Sequence, residues 1–166
     1  MDRPGTAGAG RQFGYKAGIP TFIFDVGKGV LVPLVANLLG LDNITLVIAT
    51  LAVLIGHNWP VFFKFKGGGG IATTIGIAAY LVPIIFLIVF GISLTVGLTY
   101  KYTLRKNHRI NPNVIGSALG ATLLPILCFA FGQPDYIIIL FIGIFLIIVV
   151  KGLILHFMYR NIATAN

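Results

Sequence analysis

Glutamate is absent from this 166-residue chain, and aspartate occurs only four times, at positions 2, 25, 42 and 135. So few carboxylates, two of them in turn segments, exclude a paired-carboxylate acid–base site. The one cysteine, Cys128, lies in an apolar run, cannot form an internal disulfide and reads as a small buried hydrophobe. His57, His108 and His156 are far apart in sequence and have no second thiol to join them. Zinc and haem spacings are therefore missing, and neither metal nor cofactor is expected. No Lys-Ser/Thr follows the run of glycines at 67–70, which excludes a Walker A loop. A Ser-His-Asp triad cannot be assembled convincingly, although Ser117 and His57 come from segments that could approach one another.

What the chain has instead is apolar length. Hydrophobic residues make up 57% of it, charged residues 10%, and the mean hydropathy is +0.98. These values belong to a polytopic membrane protein. A spanning helix takes roughly 20 apolar residues, so about six crossings fit, in a single all-α bundle over residues 1–166. Residues 1–18 are polar and glycine-rich, without the apolar core of a cleavable signal, and are expected to be a loop.

A first helix is expected over 19–41, with Asp25 and Lys28 three residues apart on one face. Charges at that depth must pair or line a polar cavity, so they form either a structural ion pair or part of an ion path. Asp42 and Asn43 form a turn, and a second helix runs over 44–56. The apolar residues 71–100 are expected to break near Pro83, because an internal proline removes a hydrogen bond and clashes with the preceding turn. That gives a short crossing over 71–82 and another over 83–100. A basic loop at 101–113 precedes two more helices, 114–131 and 136–157.

Charge supports this count. With six crossings, segments 1–18, 57–70, 101–113 and the C-terminus share one face and hold ten of the twelve basic residues (3, 11, 16, 64, 66, 101, 105, 106, 109 and 160). The other face carries Asp42 and Asp135 and no Lys or Arg. This is the positive-inside pattern and predicts a plasma-membrane protein with both termini and its polar loops in the cytoplasm. The excess of positive charge, +8 overall, then points to anionic headgroups and an anionic substrate rather than nucleic acid.

The central stretch 56–73, Gly-His-Asn-Trp-Pro-Val-Phe-Phe-Lys-Phe-Lys-Gly-Gly-Gly-Gly-Ile-Ala-Thr, gathers the chemistry. Glycines 67–70 allow backbone N–H groups to face a ligand, and Lys64 and Lys66 add charge beside them. One reading is a phosphate-binding loop with His57 at its entrance; the other is a mobile turn whose lysines meet lipid headgroups. His57 is positioned either to act on an attacking hydroxyl as base or hydrogen-bond partner, or simply to cap a helix C-terminus. Anion capture plus one imidazole suits transfer of an already activated group.

This stretch resembles the second motif of the acyl-phosphate:glycerol-3-phosphate acyltransferases, the PlsY family, Gly-His-x-x-Pro-Val-Phe-x-x-Phe-Lys-Gly-Gly-Lys-Gly-Val-Ala-Thr. Upstream, Arg11-Gln-Phe-Gly-Tyr-Lys-Ala-Gly18 and Phe24-Asp25-Val-Gly-Lys28-Gly29 are similar to its Arg-x-x-Gly-x-x-x-Gly and Leu-Asp-x-x-Lys-Gly. The resemblance implies a membrane enzyme that moves an acyl group from acyl phosphate to the 1-hydroxyl of glycerol 3-phosphate, giving lysophosphatidate for phospholipid biosynthesis. It implies that His57 lies at the reacting hydroxyl, that Arg11 contacts glycerol 3-phosphate, and that Lys66, Gly67, Gly68 and Gly70 form the phosphate loop. Ser117 matches the third-motif serine and Asn161 the asparagine of the C-terminal His-Arg-Glu-Asn.

Departures stand beside these matches. Gly69 replaces the lysine of Gly-Gly-Lys-Gly, and Met158, Tyr159 and Arg160 replace the C-terminal His, Arg and Glu. The first motif, Ser-x-Asn-x-Gly-Ala-Thr-Asn, aligns with Met1 to Gly8, which puts its serine on Met1 and its asparagines on Arg3 and Gly8. Either an upstream segment supplies that serine and a preceding helix, or the chain is a diverged member. The alternatives to the enzyme are an inactive relative that binds phosphate-bearing lipid precursors, and a small transporter.

Overall fold

The computed structural model describes residues 5–104 and 112–164, with side chains placed to residue 155 except at 104 and 112. Among the described residues every regular element is helical. The elements are α1 (Thr6–Phe13), α2 (Tyr15–Leu38), α3 (Asn43–Asn58), α4 (Ile71–Leu81), α5 (Pro83–Thr99), α6 (Pro112–Ala130) and α7 (Asp135–Thr164). A 3-10 turn at Val61–Phe63 interrupts the central loop, and a π-helical turn at Tyr100–Leu104 extends α5. Five segments are long and apolar enough to cross a membrane: Tyr15–Leu38, Asn43–Phe63, Pro83–Thr103, Asn113–Ala130 and Asp135–Leu155. Helix α4, with 11 residues, is apolar but short. At 1.5 Å per residue it reaches only about 16 Å, half of a hydrocarbon core.

The direction of each helix follows from what it touches. Asn37 bonds Tyr80 at 3.1 Å, while Gly29 abuts Thr73 and Ile77, so α2 and α4 run parallel. Leu51 meets Gly143 and Asn58 meets Lys151, so α3 and α7 are parallel too. Gly116 faces Ser93 and Gly97, and Gly120 faces Val89, which makes α5 and α6 antiparallel. These pairings require α4 and α5 to reverse direction at Val82–Pro83 without a loop. The break expected at Pro83 is present: Val82 lies outside helical space (φ −138°, ψ 60°), and proline occupies the first turn of α5, where its missing N–H is harmless.

Both turns away from the central loop are closed by local chemistry. Asp42 caps α3, its Oδ1 accepting from the N–H groups of Ile44 (2.9 Å) and Thr45 (3.0 Å). The Thr45 hydroxyl donates to the same carboxylate and leads in holding its pKa below the usual value. Gly40 and Gly132, at φ 65° and 63°, end α2 and α6 in the left-handed conformation, with 6→1 bonds from Leu41 to Ala36 and from Gln133 to Cys128.

Several boundaries differ from the expected ones, among them the ends of α2, at Leu38 rather than 41, and of α7, at Thr164 rather than 157. Residues 1–18 are not wholly a loop: α1 occupies 6–13 and α2 begins at Tyr15, four residues early. Close approach of Gly10 to Gly18, together with a bond from Thr6 to Asp25, folds α1 onto α2 and overrides the low helix propensity of its glycines. Helix α3 continues to Asn58, which places His57 in its last turn. In the basic segment 101–113, residues 101–104 are a π-helical turn and α6 starts at Pro112; Arg105, Lys106, His108 and Arg109 lie outside the described residues.

The core forms where α3, α4, α5, α6 and α7 meet, around Leu54, Ile77, Val89, Cys128, Leu140 and Phe141. Most large apolar side chains elsewhere point outward, Phe24, Leu38 and Ile84 among them, as a lipid-facing surface requires.

Candidate active site

The α2–α4 crossing fixes everything near the central loop. A methyl group on Gly29 would strike the Thr73 carbonyl, and one on Gly76 the Val26 carbonyl, so the two backbones touch here. That contact carries Asp25, one turn before Gly29, and Lys28, directly before it, to the start of α4 and the end of α3.

Asp25, expected to pair with Lys28, does so at 2.6 Å, and the pair extends further. Lys28 Nζ also lies 2.6 Å from His57 Nδ1, and Asp25 Oδ1 is 3.5 Å from the same nitrogen. Thr6 Oγ1 donates to the other carboxylate oxygen at 3.1 Å. Residues from α1, α2 and α3 thus form one network, with the Asp25 side chain 7% exposed.

The glycine run doubles back on the end of α3, and the Gly68 N–H donates to the His57 carbonyl at 3.2 Å. A Cβ on Gly67 would collide with the carbonyls of His57 and Asn58, and one on Gly68 with His57 Nε2. Gly70 (φ 82°) then sets the start of α4. Gly69 alone of the four has open space around it, with nothing within 4 Å of where a Cβ would stand.

These parts enclose a cavity of about 240 Å³ lined by Gly5 to Gly8, Arg11, Asp25, His57, Gly68 to Ala72 and Leu155. The first turns of α1 and α4 both face it, and such turns present N–H groups with no partner inside their own helix. Two positive helix ends, Arg11 and His57 face one space, whose one carboxylate, Asp25, is already paired with Lys28, and this is an electrostatic setting for an anion. Ile71 lines this cavity and also a second one, of about 350 Å³, between α4, α5 and α6. The second is walled by Ile75, Phe86, Val89, Leu94 and Leu124, with Ser93, Lys101, Asn113 and Ser117 among its few polar residues.

Among the residues expected at the site, Arg11, His57, Gly68 and Gly70 line the polar cavity. Gly67 supports it from behind. Lys66 is exposed and outside the lining, as is Lys64, which with Phe65 is held in the left-handed region (φ 51° and 61°). Ser117 lines the apolar cavity and donates to the Val114 carbonyl at 3.1 Å. Asn161, Met158, Tyr159 and Arg160 have side chains outside the described set, and Arg3 lies outside the described residues. Among the described residues no cluster of His, Cys, Asp or Glu could hold a metal.

One residue was missed. Lys151, inside the most apolar helix of the chain, is 3% exposed. Its ammonium donates to the Asn58 carbonyl and stands 4.9 Å from the Trp59 ring centre. It closes the C-terminus of α3 directly after His57. The signal was available, since a lone lysine within a spanning run must have a partner inside the bundle.

The model of the glycerol-3-phosphate acyltransferase family matches residues 2–159. A protein of Dehalococcoides mccartyi (strain ATCC BAA-2266 / KCTC 15142 / 195) named glycerol-3-phosphate acyltransferase 5 is 37% identical over 155 residues, 90% of this chain and 62% of that one. The glycerol-3-phosphate acyltransferase of Thermoanaerobacter sp. (strain X514) is 46% identical over 101 residues, 59% of this chain and 50% of that one. The chain therefore spans only 50–62% of the length of these relatives. The glycerol 3-phosphate form of PlsY (YgiH), an integral membrane glycerol 3-phosphate acyltransferase, superposes with a TM-score of 0.74 at 26% identity, covering 96% of this chain and 74% of that one. Its lysophosphatidic acid form gives 0.71 at 28% identity, covering 89% and 70%. Helix order, central loop and family match agree, and the chain belongs to the glycerol-3-phosphate acyltransferase family.

Proposed function

We propose that this chain binds glycerol 3-phosphate in the polar cavity and an acyl phosphate across both cavities, and transfers the acyl group to form lysophosphatidate. One observation carries the reading: an anion-attracting chamber and an apolar chamber lie side by side with Ile71 in the wall of both. An acyl phosphate has that same division, a charged head joined directly to a long hydrocarbon tail. The two PlsY structures, in glycerol 3-phosphate and lysophosphatidic acid forms, support the acceptor and product.

In the reaction the acceptor hydroxyl oxygen bonds to the acyl carbon, the carbon–oxygen bond to phosphate breaks, and the hydroxyl proton leaves with the released phosphate. Arg11 and the first turns of α1 and α4 hold charge that is present in substrates and products alike. His57, in the wall of the polar cavity, contacts the reacting groups. Charge distribution supports placing this chamber on the cytoplasmic side of the plasma membrane.

The test is lysophosphatidate formation from acyl phosphate and glycerol 3-phosphate by the purified protein in nanodiscs, alongside Arg11→Ala and His57→Ala. Turnover that falls in both variants is expected. Glycerol 3-phosphate bound and acylated equally well without Arg11 and His57 would overturn the reading.

A further inference from the structure

The contacts of His57 determine which of its two ring nitrogens carries the proton. Nδ1 lies 2.6 Å from the Lys28 ammonium, a group that only donates. The same ammonium is 2.6 Å from Asp25 Oδ1, and the two form an ion pair. Nδ1 facing a charged ammonium at hydrogen-bond distance has to be the acceptor. A proton on Nδ1 would point at the Lys28 N–H groups, and an imidazolium would set two cations in contact. Asp25 cannot rescue either state without displacing Lys28, because its oxygen is 3.5 Å from Nδ1, beyond a good hydrogen bond.

We infer that Lys28, held by Asp25, fixes His57 as the Nε2–H tautomer, so that the imidazole meets its ligand as a hydrogen-bond donor. Nε2 is the nitrogen on the Gly68 side, where His57 lines the polar cavity. A ligand oxygen with a free lone pair, on a phosphate or a hydroxyl, is the matching partner. A tautomer with its proton already on Nε2 cannot remove one from an acceptor hydroxyl, so the general-base role is excluded while Lys28 stays in place. Lys28 and Asp25 are thus positioning residues that act through His57. Among the described residues, the charged groups around the ring are Asp25 and Lys28 from α2, Arg11 from α1 across the cavity, and Lys151 from α7 at the next carbonyl. The identity of the ligand rests on the function proposed above; the tautomer does not.

The experiment therefore reads the ring directly. The protein is prepared in nanodiscs with ¹⁵N-histidine, and His57 is identified by the signal that disappears in His57→Gln. Long-range ¹H–¹⁵N spectra at neutral pH are expected to show His57 as Nε2–H. Lys28→Arg, which keeps a cationic donor, should leave this pattern. Lys28→Met should shift His57 to Nδ1–H, with the proton donated to Asp25. Lysophosphatidate turnover in Lys28→Met should also acquire a dependence on pH near neutrality beyond that of the parent, because Nε2 is then free to accept. A parent signal of the Nδ1–H or doubly protonated kind, or an unchanged tautomer in Lys28→Met, would overturn the inference. The spectra need no turnover, so an inactive chain with His57 as Nε2–H would defeat the proposed function and leave the tautomer assignment standing.

Discussion

Gly68 and Gly69 are adjacent and identical in composition, yet the fold asks different things of them. A methyl on Gly68 would run into His57 Nε2, whereas Gly69 is exposed with open space around it. Gly68→Ala should push the imidazole away from Lys28 and lower turnover, and such overpacking typically costs about 1–3 kcal/mol of stability. Gly69→Lys should fold normally and place an ammonium at the rim of the polar cavity, where the family motif has its lysine. A charge-assisted contact of this kind contributes ~1.5–3 kcal/mol, roughly ten- to a hundred-fold in affinity. Glycerol 3-phosphate binding by calorimetry and melting curves of the two variants check both statements. Weaker binding in Gly69→Lys would mean that existing positive charge already fills that space.

At the scale of the element, α3 ends on an arrangement that local sequence does not supply. Its last carbonyls have no partners within the helix, and the Asn58 carbonyl is met by the ammonium of Lys151 from α7. Lys151→Met keeps the length and apolar character of the side chain but strips that carbonyl of its donor. Leaving a buried acceptor unsatisfied costs about 1–3 kcal/mol, so a lower melting temperature in detergent is expected. Trp59 is the only tryptophan, and it loses a cation 4.9 Å from its ring. Its fluorescence should therefore change in the folded variant. An unchanged melting point with unchanged emission would show that Lys151 does not hold this turn.

For the whole molecule, the parallel pairs α2–α4 and α3–α7 and the antiparallel pair α5–α6 put the central loop and the α1–α2 start at one end of the bundle. The capped turns at 39–42 and 131–134 lie at the other. With basic residues gathered at the first end, impermeant maleimide on intact cells should label Asn43→Cys and spare Lys64→Cys, both in a Cys128→Ser background. Labelling of Lys64→Cys alone would reverse the proposed sidedness.

Periodic and compositional features were legible in the sequence because their causes are local. Apolar runs mark helices whatever their neighbours, Pro83 favours a break, and Asp42-Asn43 marks a turn. The motif resemblance likewise pointed to His57, Arg11 and the glycines. Tertiary structure decided the rest. Residues 6–13 are helical only because Gly10 meets Gly18 and Thr6 reaches Asp25, contacts that propensity does not contain. Lys66 and Gly67 read as equal members of one loop, but the backbone turn left one in solvent and buried the other against α3. Asp25 and Lys28 announced themselves as a pair; that the pair holds His57, 29 residues beyond Lys28, follows from the Gly29–Gly76 contact between two helices. Charge and hydropathy are properties of a residue and its near neighbours along the chain, whereas a proton's place on an imidazole depends on which distant donor the packing brings within 2.6 Å.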